Sequence, residues 1–418
     1  MANIDVTPES AATSLVRAMR TGLFLLLEAW RSFQRNNQFE TAAALAYYGF
    51  FAMIPLLLLA MLMLGNWIIS SREAMAGIDA LTRQIFPEFS KVIIKEVHSL
   101  SRSAKSWGLV GLIAVFWAAM PLTGGLRAAF REIFRVDRRI SILRGLLFDA
   151  LAVAIILALF VALTVSNIGY SVVQARFLNS VPAFYRISYA IGPFLLILVF
   201  LAIFYFLFAP RVPVRQLAAG TFITAVAWIL MKGVFTVFIT VNPAYGVAFG
   251  SLKAVFIVIA WVYVSFIVIL FGAELMAALG MSEALLLKEV FASPARFRRR
   301  EKLLHKYIRP VAGGEVICRE GERGSSMYYL VDGEVEISWP GATPRRLGAK
   351  EFFGEIGMLL GGNRSATAVA VSQSRVIEIS RENFNKINEL DPGISATLLR
   401  QMAVRLKFHE RNQGDNLS

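Results

Sequence analysis

The residues best placed to do chemistry lie in one short run near the carboxy-terminal end. Phe353-Gly354-Glu355-Ile356-Gly357-Met358-Leu359-Leu360 is followed, after a short link, by Arg364-Ser365-Ala366-Thr367-Ala368-Val369. A glycine that opens a short helix lets backbone N–H groups approach an anion. The helix amino-terminus favours negative charge, and one arginine supplies a two-pronged partner for a phosphate. Glu355 adds a carboxylate that can accept a hydrogen bond from a hydroxyl.

Two further charges, Lys232 and Glu274, stand inside otherwise apolar runs, where an ionisable group is costly and is a functional candidate by default. Counted from the cytoplasmic ends of their runs, Lys232 lies about 22 Å up and Glu274 about 7 Å up, so a direct pair is not expected. Lys232 can snorkel outward, and Glu274 can line a water-accessible cavity or cap a contact near the inner face. Asp149 and Lys253 sit at run ends and read as interfacial anchors. The remaining reactive residues do not assemble. One cysteine, Cys318, excludes an intrachain disulfide, and His98, His305 and His409 have no cysteine partners for zinc. No metal and no catalytic residue is expected.

These residues need elements to position them. The chain has 418 residues, 56% hydrophobic and only 17% charged, with a mean hydropathy of +0.59, which is too apolar for a water-soluble globule. Six runs reach the roughly 20 residues that a bilayer crossing needs: Ala43 to Gly65, Trp107 to Leu126, Gly145 to Tyr170, Ile187 to Ala209, Leu217 to Thr240 and Leu252 to Leu279. Pro55, Pro121 and Pro193 fall in or beside three of them and read as kinks absorbed by bundle packing. The net charge of +14 follows the apolar part, as positive-inside flanks do, rather than forming a nucleic-acid face. Arginines crowd the amino-terminal segment (Arg17, Arg20, Arg31, Arg35) and the second loop (Arg127, Arg131, Arg135, Arg138, Arg139, Arg144), and the fifth loop, Val241 to Ser251, has none. Both termini are therefore expected in the cytoplasm, with the Asn66 to Ser106 loop folded on the outer surface. No cleaved signal peptide is expected.

After Leu279 the composition changes. A basic stretch, Arg296, Arg298, Arg299, Arg300 and Lys302, leads into short β-like runs with glycine turns: Glu315 to Arg319, Met327 to Val331, Glu334 to Trp339, Thr367 to Val371 and Arg375 to Ile379. The expected division is a cytoplasmic amphipathic segment over 1–40, a membrane domain over 41–282, a basic connector over 283–305 and a soluble domain over 306–418.

The soluble part resembles the cyclic nucleotide-binding domain family from Lys306 to Arg411, and the run from Phe353 to Val369 looks like that family's phosphate-binding cassette. The resemblance implies Arg364 on the cyclic phosphate, Glu355 on the ribose, backbone contacts from Gly354, Ile356 and Gly357, and Ser365 and Ala366 closing the pocket. Ser365 tilts the ligand toward cyclic AMP over cyclic GMP. The final helix, Ile394 to Arg411, resembles the lid helix of bacterial cyclic AMP regulators. The chain stops at Ser418, so a following DNA-binding module is not expected.

The membrane part resembles the YihY/BrkB family of bacterial inner-membrane proteins from Phe33 to Ser282. The matching residues are Thr41-Ala42-Ala43-Ala44-Leu45-Ala46-Tyr47-Tyr48 with Ile54-Pro55-Leu56, Asn242-Pro243-Ala244-Tyr245-Gly246, and Trp261-Val262-Tyr263-Val264-Ser265 with Gly272-Ala273-Glu274-Leu275. Tyr48-Gly49-Phe50-Phe51 departs from the family's hydroxyl residues. Some relatives carry a ribonuclease label, but no histidine or carboxylate cluster here would hydrolyse RNA. The expected fold is an all-α six-helix transmembrane bundle followed by a cytoplasmic β-roll with flanking helices. The expected function is a transporter-like inner-membrane protein regulated by cyclic nucleotide. A membrane-tethered nucleotide sensor is the alternative. A nucleotide-gated channel is disfavoured, because no selectivity-filter loop or arginine-repeat helix is present. The expected partners are the bilayer and a cyclic mononucleotide; a homo-oligomer is left open.

Overall fold

The computed structural model describes residues 8–65, 108–136, 143–156, 212–241, 253–291, 294–339 and 343–396, with isolated positions at 141, 158, 198–199, 201–205 and 398–399. The Asn66 to Ser106 loop, the fifth loop and the lid helix beyond residue 399 lie outside the described residues. The chain divides into two compact units, one formed by Met1–Leu25 with Met281–Ser418 and the other by Leu26–Gly280.

The Leu26–Gly280 unit is helical. The helix α1 (Pro8–Arg35) ends here, a two-residue turn at Asn36 and Asn37 follows, and α2 (Gln38–Gly65), α3 (Gly108–Ile133), α4 (Val214–Val241) and α5 (Lys253–Gly280) make up most of the other described residues. Phe33, Leu45, Leu126, Phe130, Leu270 and Met276 meet in the buried core. On α4 the apolar side chains point the other way as well. Phe222, Leu230, Val234 and Val237 are all exposed, which suits a lipid environment and not water.

The second unit is mostly β. Past Gly280 come α6 (Ser282–Leu287), a 3-10 turn (Lys288–Phe291) and α7 (Pro294–Leu304), followed by β1 (Ile308–Val311), β2 (Val316–Cys318), β3 (Ser326–Asp332), β4 (Val335–Ser338), β5 (Arg345–Leu347) and β6 (Phe352–Phe353). A six-residue helix, α8 (Glu355–Leu360), separates these from β7 (Thr367–Ala370), β8 (Ser374–Ser380) and α9 (Arg381–Leu390). The strands form two antiparallel sheets, β1-β8-β3-β6 and β2-β7-β4-β5. Alternating side chains explain the pairing: Val335 and Ile337 turn into the core while Glu336 and Ser338 turn out. Val311, Tyr328, Leu330, Leu347, Phe353 and Val376 meet there.

Two expectations are corrected by this architecture. Among the described residues two helices, Val214–Val241 and Val255–Gly280, are long and apolar enough to cross a membrane, where six spans were expected. Apolar length alone does not separate a lipid-facing helix from one that faces its neighbours, and α2 and α3 send Leu45, Leu126 and Phe130 into the core. Much of the third and fourth expected spans lies outside the described residues. The second correction concerns the β-roll. Consecutive strands β1 and β2, and again β3 and β4, sit in opposite sheets, each sheet keeps two edge strands, and neither closes on itself.

Candidate functional site

Gly354 follows β6 directly and sits as N-cap of α8 with φ 74°. That left-handed conformation is comfortable only for glycine, and a Cβ there would come within 2.6 Å of Arg364 Nη1. Arg364 lies four residues past α8 and is 6% exposed. Its backbone is tied on both sides, donating to Glu322 O at 2.7 Å and accepting from Gly321 N at 3.0 Å.

The guanidinium is aimed by carbonyls. Nη1 donates to Ser326 O at 2.6 Å and to Gly354 O at 2.7 Å, and Nη2 reaches Ser326 Oγ at 3.3 Å. The Tyr328 ring lies 5.3 Å from Arg364 Cζ. Ser326 in turn donates from Oγ to Glu378 on β8 at 2.6 Å. Three of five guanidinium hydrogens are thus used among the described residues, which leaves Nε–H and one Nη2–H for an anion. Glu355 is buried in the first turn of α8 and engaged with its surroundings. Gly357 packs against Gly324, where a side chain on either would strike backbone. Ile356 and Ser365 are exposed, and Ala366 packs against the core. From the other end Arg381 donates to Met358 O and holds the last turn of α8.

The structure therefore brings Gly354, Glu355, Gly357 and Arg364 to one place and adds Ser326, Tyr328, Glu378 and Arg381, which sequence reasoning missed. Ser326 and Arg364 are 38 positions apart and Ser326 and Glu378 are 52 apart, so no local pattern announces them. Burial keeps the nearby Cys318 and Tyr329 protonated, with both groups pushed above their usual ranges.

In the helical unit the two intramembrane candidates are not partners. Lys232 is half-buried on α4 and has no acidic partner among the described residues. Glu274 on α5 is 2% exposed and accepts a 2.7 Å hydrogen bond from Asn36 Nδ2. Asp149, read as an anchor, instead makes a two-point ion pair with Arg127, at 3.0 Å from Nε and 2.7 Å from Nη2. Among the described residues no group of three or more His, Cys, Asp or Glu is placed to hold a metal ion.

Comparison with known proteins gives two family matches. The family described as virulence factor BrkB matches residues 29–289, and the cyclic nucleotide-binding domain matches residues 308–390. Neither description is that of an enzyme. A UPF0761 membrane protein of Chromohalobacter salexigens is 31% identical over 268 residues, covering 61% of this chain and 63% of its own length. A cyclic nucleotide-gated potassium channel of Rhizobium etli is 37% identical over 93 residues, covering 22% of this chain and 26% of the channel. The solved catabolite activator protein of Thermus thermophilus is 27% identical with a TM-score of 0.26, covering 30% of this chain and 61% of that one. The chain spans about three-fifths of the length of the first curated relatives it matches.

Proposed function

Because this chain belongs to the virulence factor BrkB family of membrane proteins and carries a cyclic nucleotide-binding domain, we propose that it is an inner-membrane protein of transporter type whose activity is set by a cyclic mononucleotide bound on the cytoplasmic side. Both termini are cytoplasmic in this reading. The ligand phosphate sits on Arg364 and the backbone of Gly354, Ile356 and Gly357, the ribose on Glu355, with Ser365 and Ala366 closing the pocket. Cyclic AMP is favoured over cyclic GMP, on the small hydroxyl side chain of Ser365.

The observation that carries the nucleotide assignment is the buried Arg364, held over Gly354 by main-chain carbonyls with two donors unspent among the described residues. A buried guanidinium fixed in this way is a partner for a doubly bonded phosphate rather than for solvent. Calorimetry on the purified full chain tests it. Wild type should bind cyclic AMP or cyclic GMP, and Arg364→Ala should lose roughly 2 to 5 kcal/mol of binding, since the phosphate would be left without its charged partner. Equal affinity in both proteins, or no heat with either nucleotide, would overturn the assignment. The transport reading is tested by nucleotide-dependent solute flux in vesicles.

A further inference from the structure

Among the described residues, a fully buried carboxamide in the helical unit has no hydrogen-bond partner. Gln38, the first residue of α2, is 0% exposed, and neither its Nε2 nor its Oε1 makes a hydrogen bond. Leaving both ends of a buried amide bare is costly, and an apolar side chain of similar size would avoid the cost. An orphan of this kind marks a bound water, an ion or a working group.

Its surroundings identify the guest. Asn36, in the turn just before α2, donates to Glu274 and lies 3.3 Å from Ser32 Oγ. The helix registers bring these groups toward Gln38. A methyl group on Gly49 of α2 would meet Val262 and Phe266 of α5 at 3.2 Å, and one on Gly125 of α3 would meet Leu45 at 3.0 Å. Carried back to the start of α2 in the same antiparallel sense, those registers set Gln38 level with the turn from Ala273 to Ala277 on α5, which contains Glu274, and with residues 132–135 at the end of α3. Ala277 is one turn from Glu274, and Ile133 is followed closely by Arg135. Phe33 stacks edge-on with Phe39 at 4.9 Å and with Phe271 at 6.2 Å, which closes the apolar side. The charged groups acting on Glu274 are Arg35, at the end of α1, and Arg135, just past α3.

We propose that Glu274 and Gln38 form a proton-exchange site, with Gln38 holding the water that delivers the proton to the Glu274 carboxylate. Hydronium gives one proton to a carboxylate oxygen, so an O–H bond breaks in the hydronium and forms in the carboxyl group. A neutral water stays on Gln38, which donates to it from Nε2 and accepts from it at Oε1. Release is the reverse. A resident metal cation would need a fuller shell of oxygens and would face both guanidinium groups. A proton needs one carboxylate oxygen and one water. The site deepens the transport reading and rests on it only where flux is measured.

Acid titration of the purified full chain, followed by infrared difference spectroscopy, reads the site without flux. Wild type should show a protonated-carboxyl band that is lost in Glu274→Gln and shifted in Gln38→Leu and Gln38→Met, which remove the amide without leaving a void. Both apolar variants should melt no lower than wild type. In vesicles, proton uptake driven by a pH gradient should fall to background in Glu274→Gln and about tenfold in Gln38→Leu, as expected for a lost hydrogen bond to a charged group. Spectra that are identical in wild type and Glu274→Gln, or a band unmoved by either Gln38 variant, would overturn the site, as would a band abolished by sodium but not by choline. The expected band without proton uptake in wild-type vesicles would keep the site and remove the transport reading instead.

Discussion

Arg364 depends for its aim on Ser326, which offers it both a carbonyl and a hydroxyl oxygen. Because the Ser326 hydroxyl donates to Glu378 at 2.6 Å, its lone pairs are left facing the guanidinium. Ser326→Ala and Glu378→Gln should each weaken nucleotide binding by about 1 kcal/mol, the usual worth of one such bond. The sharper readout is stereochemical: the preference between the two phosphorothioate diastereomers should change, while discrimination against the 2′-deoxy ligand should not. Gly354→Ala should lower both stability and affinity, since its φ of 74° strains any other residue and the new methyl would displace Arg364. Acid sensitivity follows from Glu315. The Ala312 backbone amide and Arg309 hold its carboxyl below the ordinary range. With the folded pKa depressed, this contribution is complete above the usual carboxylate range and is lost as pH falls through the folded value. Thermal melts across acid pH should therefore show a loss that Glu315→Gln flattens.

Among the elements, the Arg127–Asp149 pair ties α3 to the helical stretch at 143–156, and Gly145 leaves room for the guanidinium. Arg127 keeps some exposure, so Asp149→Leu should cost about 3 kcal/mol, the lower end for an ion pair broken from one side. Arg127→Met with Asp149→Leu should recover much of that in melting temperature. The sequence shows where most of these elements begin and end, and shows less of how they meet. The strands with a continuous or alternating apolar pattern, β3, β4 and β8, are visible from Met327 to Val331, Glu334 to Trp339 and Arg375 to Ile379. The polar or very short strands β1, β5 and β6 carry no such alternation, and Pro310 and Arg345-Arg346 disguise two of them. Gly354, Glu355 and Arg364 are legible because one short segment holds them. Ser326 and Glu378 are not, because the β3–β8 pairing that sets Ser326 opposite Ser380 and Tyr328 opposite Glu378 joins distant stretches.

On the scale of the whole molecule, residues 281–304 pack as part of the β unit and not as a loose tether. Phe291 stacks on Phe352 at 4.9 Å, Phe297 meets Tyr329 at 5.5 Å, Lys288 pairs with Asp391 at 3.2 Å, and Arg300 pairs with Glu289 beneath the Phe24 ring. Phe352 is next to Phe353 and Gly354, so Phe291→Ala should weaken nucleotide binding as well as the unit, by about 1 kcal/mol from the lost ring pair alone. The placement of the termini is open to thiol labelling. On a Cys318→Ala background, chosen because Cys318 is buried among apolar side chains, a cysteine at Ser103 should react only from outside the cell. One strand draws these observations together. From Ser326 to Leu330 every residue of β3 is buried. Ser326 and Tyr328 face the arginine, while Tyr329 faces the rings of Phe297 and Phe352. The pleat thus assigns alternate positions to two different masters. In a descendant that abandoned its ligand, Ser326 should be free to wander, while Tyr328, which also packs in the core, and Tyr329 stay under selection.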